Sequence, residues 1–289
     1  IGEFFDFKNK PSLSYWDKFP YLLDDKKIYV EDTFDIVTRA LIQRMEAISC
    51  KKVILGLSGG LDSTMALLFI VKAFEKMNLP KENILLYTMP AFGTSKRTKS
   101  NAFKLAEAFE IKVNEIVIKD AVNIHLKDIG HDGKTQDIAY ENSQARERTQ
   151  ILFDIGNMEN ALVIGTGDKS EISQGFATYN GDHMSSYAVN ASLTKTELRY
   201  IVSYLVENTK NQKLKEVLDD ILKTPISPEL KNENEEKISQ KTEDIIGPYE
   251  LIDFFTFEFL ENSSVEEIYE KAKVAFKDDY DKKTIKKWL

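Results

Sequence analysis

Residues 53–57 read VILGL and run straight into SGGLDS at 58–63; the stretch that follows, 64–77, is apolar on nearly every face. A short apolar run closed by glycine is the pattern of a strand buried on both sides. A segment apolar all round is a helix enclosed by other elements. Strand, tight turn and buried helix in that order leave few architectures open, and the same rhythm recurs along the chain. ILLYTM at 84–89 ends at Pro90, NEIVI at 114–118 and LVIG at 162–165 are further strand candidates, and helical patterns at 95–109 and 141–157 lie between them. This alternation predicts an α/β protein with a parallel sheet covered by helices on both faces. In such sheets ligands sit outside the carboxyl ends of the strands, where the SGGLDS turn falls.

The chain divides unevenly around this core. Residues 1–31 are aromatic but aperiodic and read as an N-terminal arm or interdomain linker; residues 32–289 read as one domain. Phe34, Val37, Leu41, Met45 and Ile48 recur at helical spacing, with Asp32 as the expected cap. The apolar face of that helix suits either the core or a subunit interface. Residues 223–247 contain KNENEEK and read either as a solvated, mobile loop or as a lid over a bound nucleotide. Residues 249–260 and 265–276 look helical, and no internal repeat is visible.

Composition narrows the function. A net charge of -8 argues against a broad nucleic-acid surface. One cysteine, Cys50, excludes an internal disulfide framework and a multi-cysteine zinc site, and its default place is the core. His125, His131 and His183 have no metal-ligand spacing. No apolar run approaches the length of a membrane span and no signal peptide is evident, so a cytoplasmic protein is expected. The chain opens on Ile1 rather than Met, as a segment of a longer protein would.

The SGGLDS turn lacks the lysine of a Walker loop. Its glycines still let several backbone N–H groups converge, and the helix expected to begin near Ser63 adds a positive end. Ser58 and Ser63 supply hydroxyls. Asp62 would repel phosphate directly, so it suits a phosphate site only through a divalent cation; Mg2+ takes carboxylates together with substrate phosphates. The other reading is an ordinary strand–turn–helix corner with Asp62 as a cap. A second polar group spans residues 140–182, where GTG at 165–167 lacks the third glycine of a dinucleotide fingerprint. Glu171 can serve as a second magnesium carboxylate, Thr166 offers a hydroxyl, and Asp182 follows a turn glycine. Asn142 and Arg146 are four apart and share a helix face, which suits a site as well as a solvated surface. Lys195 reads as a surface lysine or, being a cation at a helix start, as a ligand contact. Ser227 lies between two prolines, in a turn or a phosphate-contacting loop.

SGGLDS resembles the S-G-G-x-D-S signature of the ATP pyrophosphatase superfamily, whose members cleave ATP between the alpha and beta phosphates. Together with MPAFGTSKRTKSNA, YENSQARERTQ, GTGDKSE, ATYNGDHMSSY, LTKTELR and QKTEDIIGPYELIDFF, it resembles the NAD synthetases, with wording similar to the synthetase domain of the glutamine-dependent type. Ser95 stands where compact, ammonia-only members usually carry glutamine. The resemblance implies an adenine nucleotide alpha hydrolase-like fold and ATP-dependent amidation of deamido-NAD (nicotinic acid adenine dinucleotide) to NAD. It implies Mg2+ on Asp62 and Glu171, with Lys195 as a further catalytic residue. It implies ATP contacts from Gly56, Ser58, Gly59, Gly60, Asp62, Ser63, Thr166, Lys195 and Ser227, and deamido-NAD contacts from Asn142, Arg146 and Asp182. Ammonia is the implied nitrogen donor and a homodimer the implied assembly. A glutaminase domain needs a nucleophilic cysteine that Cys50 is poorly placed to supply, so that domain is expected to be missing from this chain. Other readings are a GMP synthetase, a tRNA-thiolating enzyme or a nucleotide-sensing module without chemistry.

Overall fold

The computed structural model describes residues 13–226, 230 and 242–289. Its centre is a parallel sheet of β1 (Val53–Gly56), β2 (Ile84–Thr88), β3 (Val113–Glu115), β4 (Leu162–Gly165) and β5 (Tyr187–Ala188), in the order β3-β2-β1-β4-β5. After β1 the chain moves to β2 on one side; β4 then pairs with β1 on the other. The crevice between the loops leaving β1 and β4 is therefore the switch point of the topology, where such sheets bind ligands.

Both faces are covered. On one face Val53, Leu55, Ile84, Leu86, Leu162 and Ile164 join a single core with α1 (Lys26–Ala47), α2 (Leu61–Met77), α3 (Lys96–Ala108), α7 (Lys195–Asn208) and α8 (Gln212–Leu222). On the other lie α4 (Lys119–Asp128) and α5 (Ile138–Glu159). There Gly156 of α5 brings the helix close to the sheet: a Cβ would stand 3.0 Å from Val163 and 3.6 Å from Ile54. The alternation of Val53, Ile54 and Leu55 between faces, all fully buried, is the period-two pattern of a strand with two covered sides. A smaller cluster joins α10 (Tyr249–Leu260), α11 (Val265–Ala275) and α12 (Lys282–Trp288). The short helices α6 (Lys169–Gln174) and α9 (Thr242–Ile246) complete the order.

The elements differ from expectation at identifiable places. The first helix starts at Lys26, capped by Asp25 rather than Asp32, because Tyr29 and Val30 already belong to its buried face. That face, with Val37, Leu41 and Met45, packs into the core. Helix α2 starts at Leu61, earlier than Ser63. β3 is Val113–Glu115 rather than residues 114–118; past its end the Ile116 and Ile118 N–H groups donate to the Thr88 and Pro90 carbonyls, and Ile118 leads into α4. Cys50 is buried. Among the described residues no helix is long and apolar enough to cross a membrane.

Candidate active site

The turn after β1 is shaped by one glycine. Gly59 has φ +88, and a Cβ there would lie 2.1 Å from the carbonyl oxygen of Thr98 on α3. Only glycine lets the turn press against that helix. Ser58 Oγ and Ser63 Oγ are 3.0 Å apart, the Gly59 N–H donates to Ser63 Oγ at 3.3 Å, and the Gly60 N–H donates to Ser58 Oγ at 3.2 Å. Helix α2 begins without a side-chain cap, whereas Ser95, Asp137, Asp168 and Thr194 cap α3, α5, α6 and α7. Its first N–H groups have no side-chain acceptor, the state that suits an anion.

Asp62, on the first turn of α2, faces the loop after β4. There Asp168 caps α6 and forms a capping box with Glu171: the Glu171 N–H donates to Asp168 Oδ1 at 2.9 Å, and the Asp168 N–H to Glu171 Oε2 at 3.4 Å. The local cap fixes both carboxylates beside the switch point. Lys195 then enters from α7. Its side chain is completely buried, and its Nζ lies 2.6 Å from Asp62 Oδ1, 3.0 Å from Glu171 Oε1 and 2.8 Å from Asp168 Oδ2. The contact with Asp168 is an ion pair off hydrogen-bond geometry, so Asp168 Oδ2 is buried without a hydrogen bond.

Lys195 is therefore no surface lysine. As the first residue of α7 it stands against the helix dipole, and the carboxylates offset that cost. Burial alone would lower its pKa; Asp62, Glu171 and Asp168 outweigh burial and hold it well above the ordinary lysine value. Burial pushes Glu171 up to about 8, with the charge of Asp62 adding to the rise. Burial likewise pushes Asp168 up to about 6, against the pull of Lys195. The Tyr249 ring centroid is 5.4 Å from Lys195 Nζ, and its hydroxyl is buried without a hydrogen-bond partner.

Asp62, Asp168 and Glu171 each offer a carboxylate oxygen within 4.8 Å of the others'. An all-oxygen, acidic donor set of this kind fits a hard divalent cation such as Mg2+, and the buried Asp168 oxygen has capacity for one more partner. Expectation named Asp62 and Glu171 and missed Asp168. The D-x-x-E pattern at 168–171 already satisfies a helix cap, which hides its second role.

Two further details organise the crevice. Asn190, fully buried after β5, donates from Nδ2 to the backbone carbonyls of Asp62 and Thr166, both at 2.9 Å. Below Lys195, its backbone N–H donates to Ser170 Oγ, Ser170 donates to Asp253 Oδ1, and Thr196 donates to Asp253 Oδ2 through N–H (2.9 Å) and hydroxyl (2.6 Å). Asn142, Arg146 and Asp182 meet on one loop: Thr178 Oγ1 donates to Asn142 at 2.8 Å, Arg146 Nε to the Tyr179 carbonyl at 3.1 Å, and the Thr178 N–H to Asp182 at 2.7 Å. Gly56 ends β1, and Thr166 lies just past the end of β4. Ser227 and most of the 223–247 segment expected as loop or lid lie outside the described residues.

A family model, NAD synthase, matches residues 33–288. The chain belongs to the NAD synthase family. Glutamine-dependent NAD(+) synthetase from Mycobacterium leprae is 37% identical over 270 residues, covering 90% of this chain and 39% of that protein. NH(3)-dependent NAD(+) synthetase from Methanococcus aeolicus is 34% identical over 180 residues, covering 61% of this chain and 67% of that protein. This NAD synthase family chain thus spans about two fifths of the length of the glutamine-dependent relatives it matches. Among solved structures, an NMN synthetase from Francisella tularensis superposes with a TM-score of 0.66 at 23% identity over 86% of this chain and 94% of that one. That likeness places the NAD synthase family chain in the fold expected from its sequence.

Proposed function

We propose that this chain is a carbon–nitrogen ligase that converts deamido-NAD to NAD, with ATP as co-substrate and ammonia as nitrogen donor. The observation that carries this reading is the convergence, at one switch point, of a glycine turn with an uncapped helix start and three carboxylates gathered on one buried lysine.

A carboxylate resists amination because its leaving group would be an oxide. Transfer of AMP removes the obstacle. The pyridine carboxylate oxygen of deamido-NAD attacks the alpha phosphorus of ATP, and pyrophosphate departs with the electrons of the broken P–O bond. Ammonia then adds to the activated carbonyl carbon, loses a proton, and AMP leaves. Gly56, Ser58, Gly59, Gly60 and Ser63 hold the phosphates through N–H and hydroxyl donors, and Thr166 and Ser227 contribute to the same ligand. Asn142, Arg146 and Asp182 hold deamido-NAD. Lys195 supplies a fixed positive charge beside the reacting groups. Such catalysis is positioning and charge stabilisation, with no covalent enzyme intermediate. Asp62, Glu171 and Asp168 would hold Mg2+, which when bound neutralises phosphate charge and aids the departure of pyrophosphate.

Residues 32–289 act as the synthetase domain, which α1 extends back to Lys26 because Tyr29 and Val30 already lie in its core, and the segment before α1 is the arm that would join it to a glutaminase domain. A homodimer is the assembly we expect. The test is direct: purified chain, ATP, Mg2+, deamido-NAD and either ammonium or glutamine, with NAD and AMP both measured. NAD formed with ammonium and not with glutamine supports the reading. AMP release that needs nicotinic acid mononucleotide instead, or no AMP release with any pyridine acid, overturns it.

A further inference from the structure

β1 and β4 pair through Leu55 and Ile164 and then part. Beyond that point their loops diverge, one carrying Asp62 and the other carrying Thr166, Asp168 and Glu171. A cluster of three carboxylates built from two diverging loops keeps its spacing only if something ties the loops together. Lys195 does so at the carboxylates themselves, but a divalent cation competes for the same oxygens. Asn190 ties them independently of that charge. Its amide nitrogen donates to the carbonyls of Asp62 and Thr166, at equal distances of 2.9 Å.

Chemistry fixes the orientation of this amide. Turned over, it would set its oxygen against two carbonyl oxygens, so the NH2 group must face them. The consequence is that Asn190 Oδ1 is buried with no hydrogen-bond partner. A side chain serving only to fill this space would not need an amide whose oxygen goes unpaired.

We propose that Asn190 is a positioning residue for the ligase centre, which cross-links the β1 and β4 loops so that Asp62 stays in register with Asp168 and Glu171. The proposal rests on the reading of the cluster as the cation-assisted ATP site. Its role is to act through the backbone of Asp62 and Thr166, whose carbonyls it holds. Removing such an orienting partner characteristically weakens metal affinity or activity by about 10- to 100-fold.

The test uses the full chain with Asn190→Asp, which keeps the shape and loses both donors, and Asn190→Ala. Mn2+ retention in the presence of ATP, followed by electron paramagnetic resonance, gives a readout independent of turnover; kcat and the KM for ATP are measured with deamido-NAD and ammonium, and thermal melting reports folding. The expected result is a folded protein with Mn2+ retention weakened about 10- to 100-fold and kcat lowered to a similar degree. A lower melting temperature with Mn2+ retention and kcat unchanged per folded molecule means a merely structural amide and overturns the proposal. Absence of Mn2+ retention by the unsubstituted chain overturns it too. Should both variants fail to fold, Asn190→Ser, whose hydroxyl can donate to one carbonyl, keeps the test open: unchanged Mn2+ retention there also refutes it. If the unsubstituted chain retains Mn2+ with ATP yet makes no NAD, the amidation reading fails while the Mn2+ comparison still judges Asn190.

Discussion

Replacing Gly59 by alanine isolates the contact that shapes the glycine turn after β1. Two costs are readable. At φ +88 a side chain meets the left-handed penalty, about 1–2 kcal/mol. The new Cβ would also lie 2.1 Å from Thr98 O and 2.8 Å from Ala102 N. Ordinary carbon–oxygen contact is about 3.3 Å or more, so the turn and α3 must separate by roughly 1 Å. Overpacking of that kind costs about 1–3 kcal/mol. The sum, about 2–5 kcal/mol, corresponds to a melting temperature lower by roughly 3–8 °C for a chain of this size. Gly175 is the internal control: its φ is +61, but a Cβ there meets nothing within 4 Å. Gly175→Ala should cost only the backbone part, about 1–2 kcal/mol. If the turn yields rather than α3, Ser58, Asp62 and Ser63 move with it, and a displacement near 1 Å lowers turnover about a hundredfold. Thermal melting and ATP-to-AMP conversion on both variants read the two routes. Gly59→Ala with melting no lower than Gly175→Ala and turnover within about twofold of the unsubstituted chain would refute the packing argument.

Asp62→Asn removes one carboxylate from the cluster and should lower turnover about a hundredfold or more at saturating Mg2+; a near-normal steady-state rate would defeat the assigned role. Lys195→Met leaves three neighbouring carboxylates without their cation, a loss of about 3–5 kcal/mol in urea unfolding with chelator. Added Mg2+ should restore more stability to this variant than to the unsubstituted chain. The pH dependence has a defined sign. With chelator present, Glu171 (about 8) and Asp168 (about 6) hold protons in the fold that the unfolded chain has lost above its ordinary carboxylate values, 4.5 and 3.8. The folded state binds more protons across that window, so stability should fall as pH rises from about 5 to about 8. A melting temperature flat across that range would contradict it.

What the sequence discloses follows from how local each signal is. β1, β4 and α10 are legible because a run of apolar residues enclosed on both faces, or a helical stripe, is complete within its own segment. β5 is not: Tyr187–Ala188 is too short to carry a period, and only pairing with β4 makes it a strand. Asp62 stands out because an acid beside a glycine turn suits a phosphate site only through a divalent cation. Asp168 does not, because capping explains it. The burial of Lys195 is invisible at the level of one helix start, where a lysine is merely disfavoured. It becomes intelligible only when α2 and α6 bring their acids to it. Asn190 carries no signal in the sequence for the same reason, since both carbonyls it binds lie on other elements.

The C-terminal helices and the N-terminal arm bear on the same lysine from further away. Asp253 of α10 reaches under the start of α7 and accepts from Ser170 and Thr196, the hydrogen bonds that seat Lys195. The same helix presents Phe257 to Tyr21 of the arm, with ring centroids 5.6 Å apart, and Glu258 to the Trp16 indole, which donates at 2.7 Å. Lys271 closes this contact: its Nζ pairs with Glu258 and stands 4.3 Å over the Trp16 ring. The described part of the arm is thus anchored to α10 by a buried carboxylate, Glu258, that also neutralises a lysine. A rigid α10 is what allows Asp253 to hold α7 in place, and a fixed α7 is what keeps a charged lysine among three acids. The aromatic residues near the start of the chain, which show no periodicity of their own, find their physical reason in that packing. They brace the helix that also carries Asp253, and with it the start of α7.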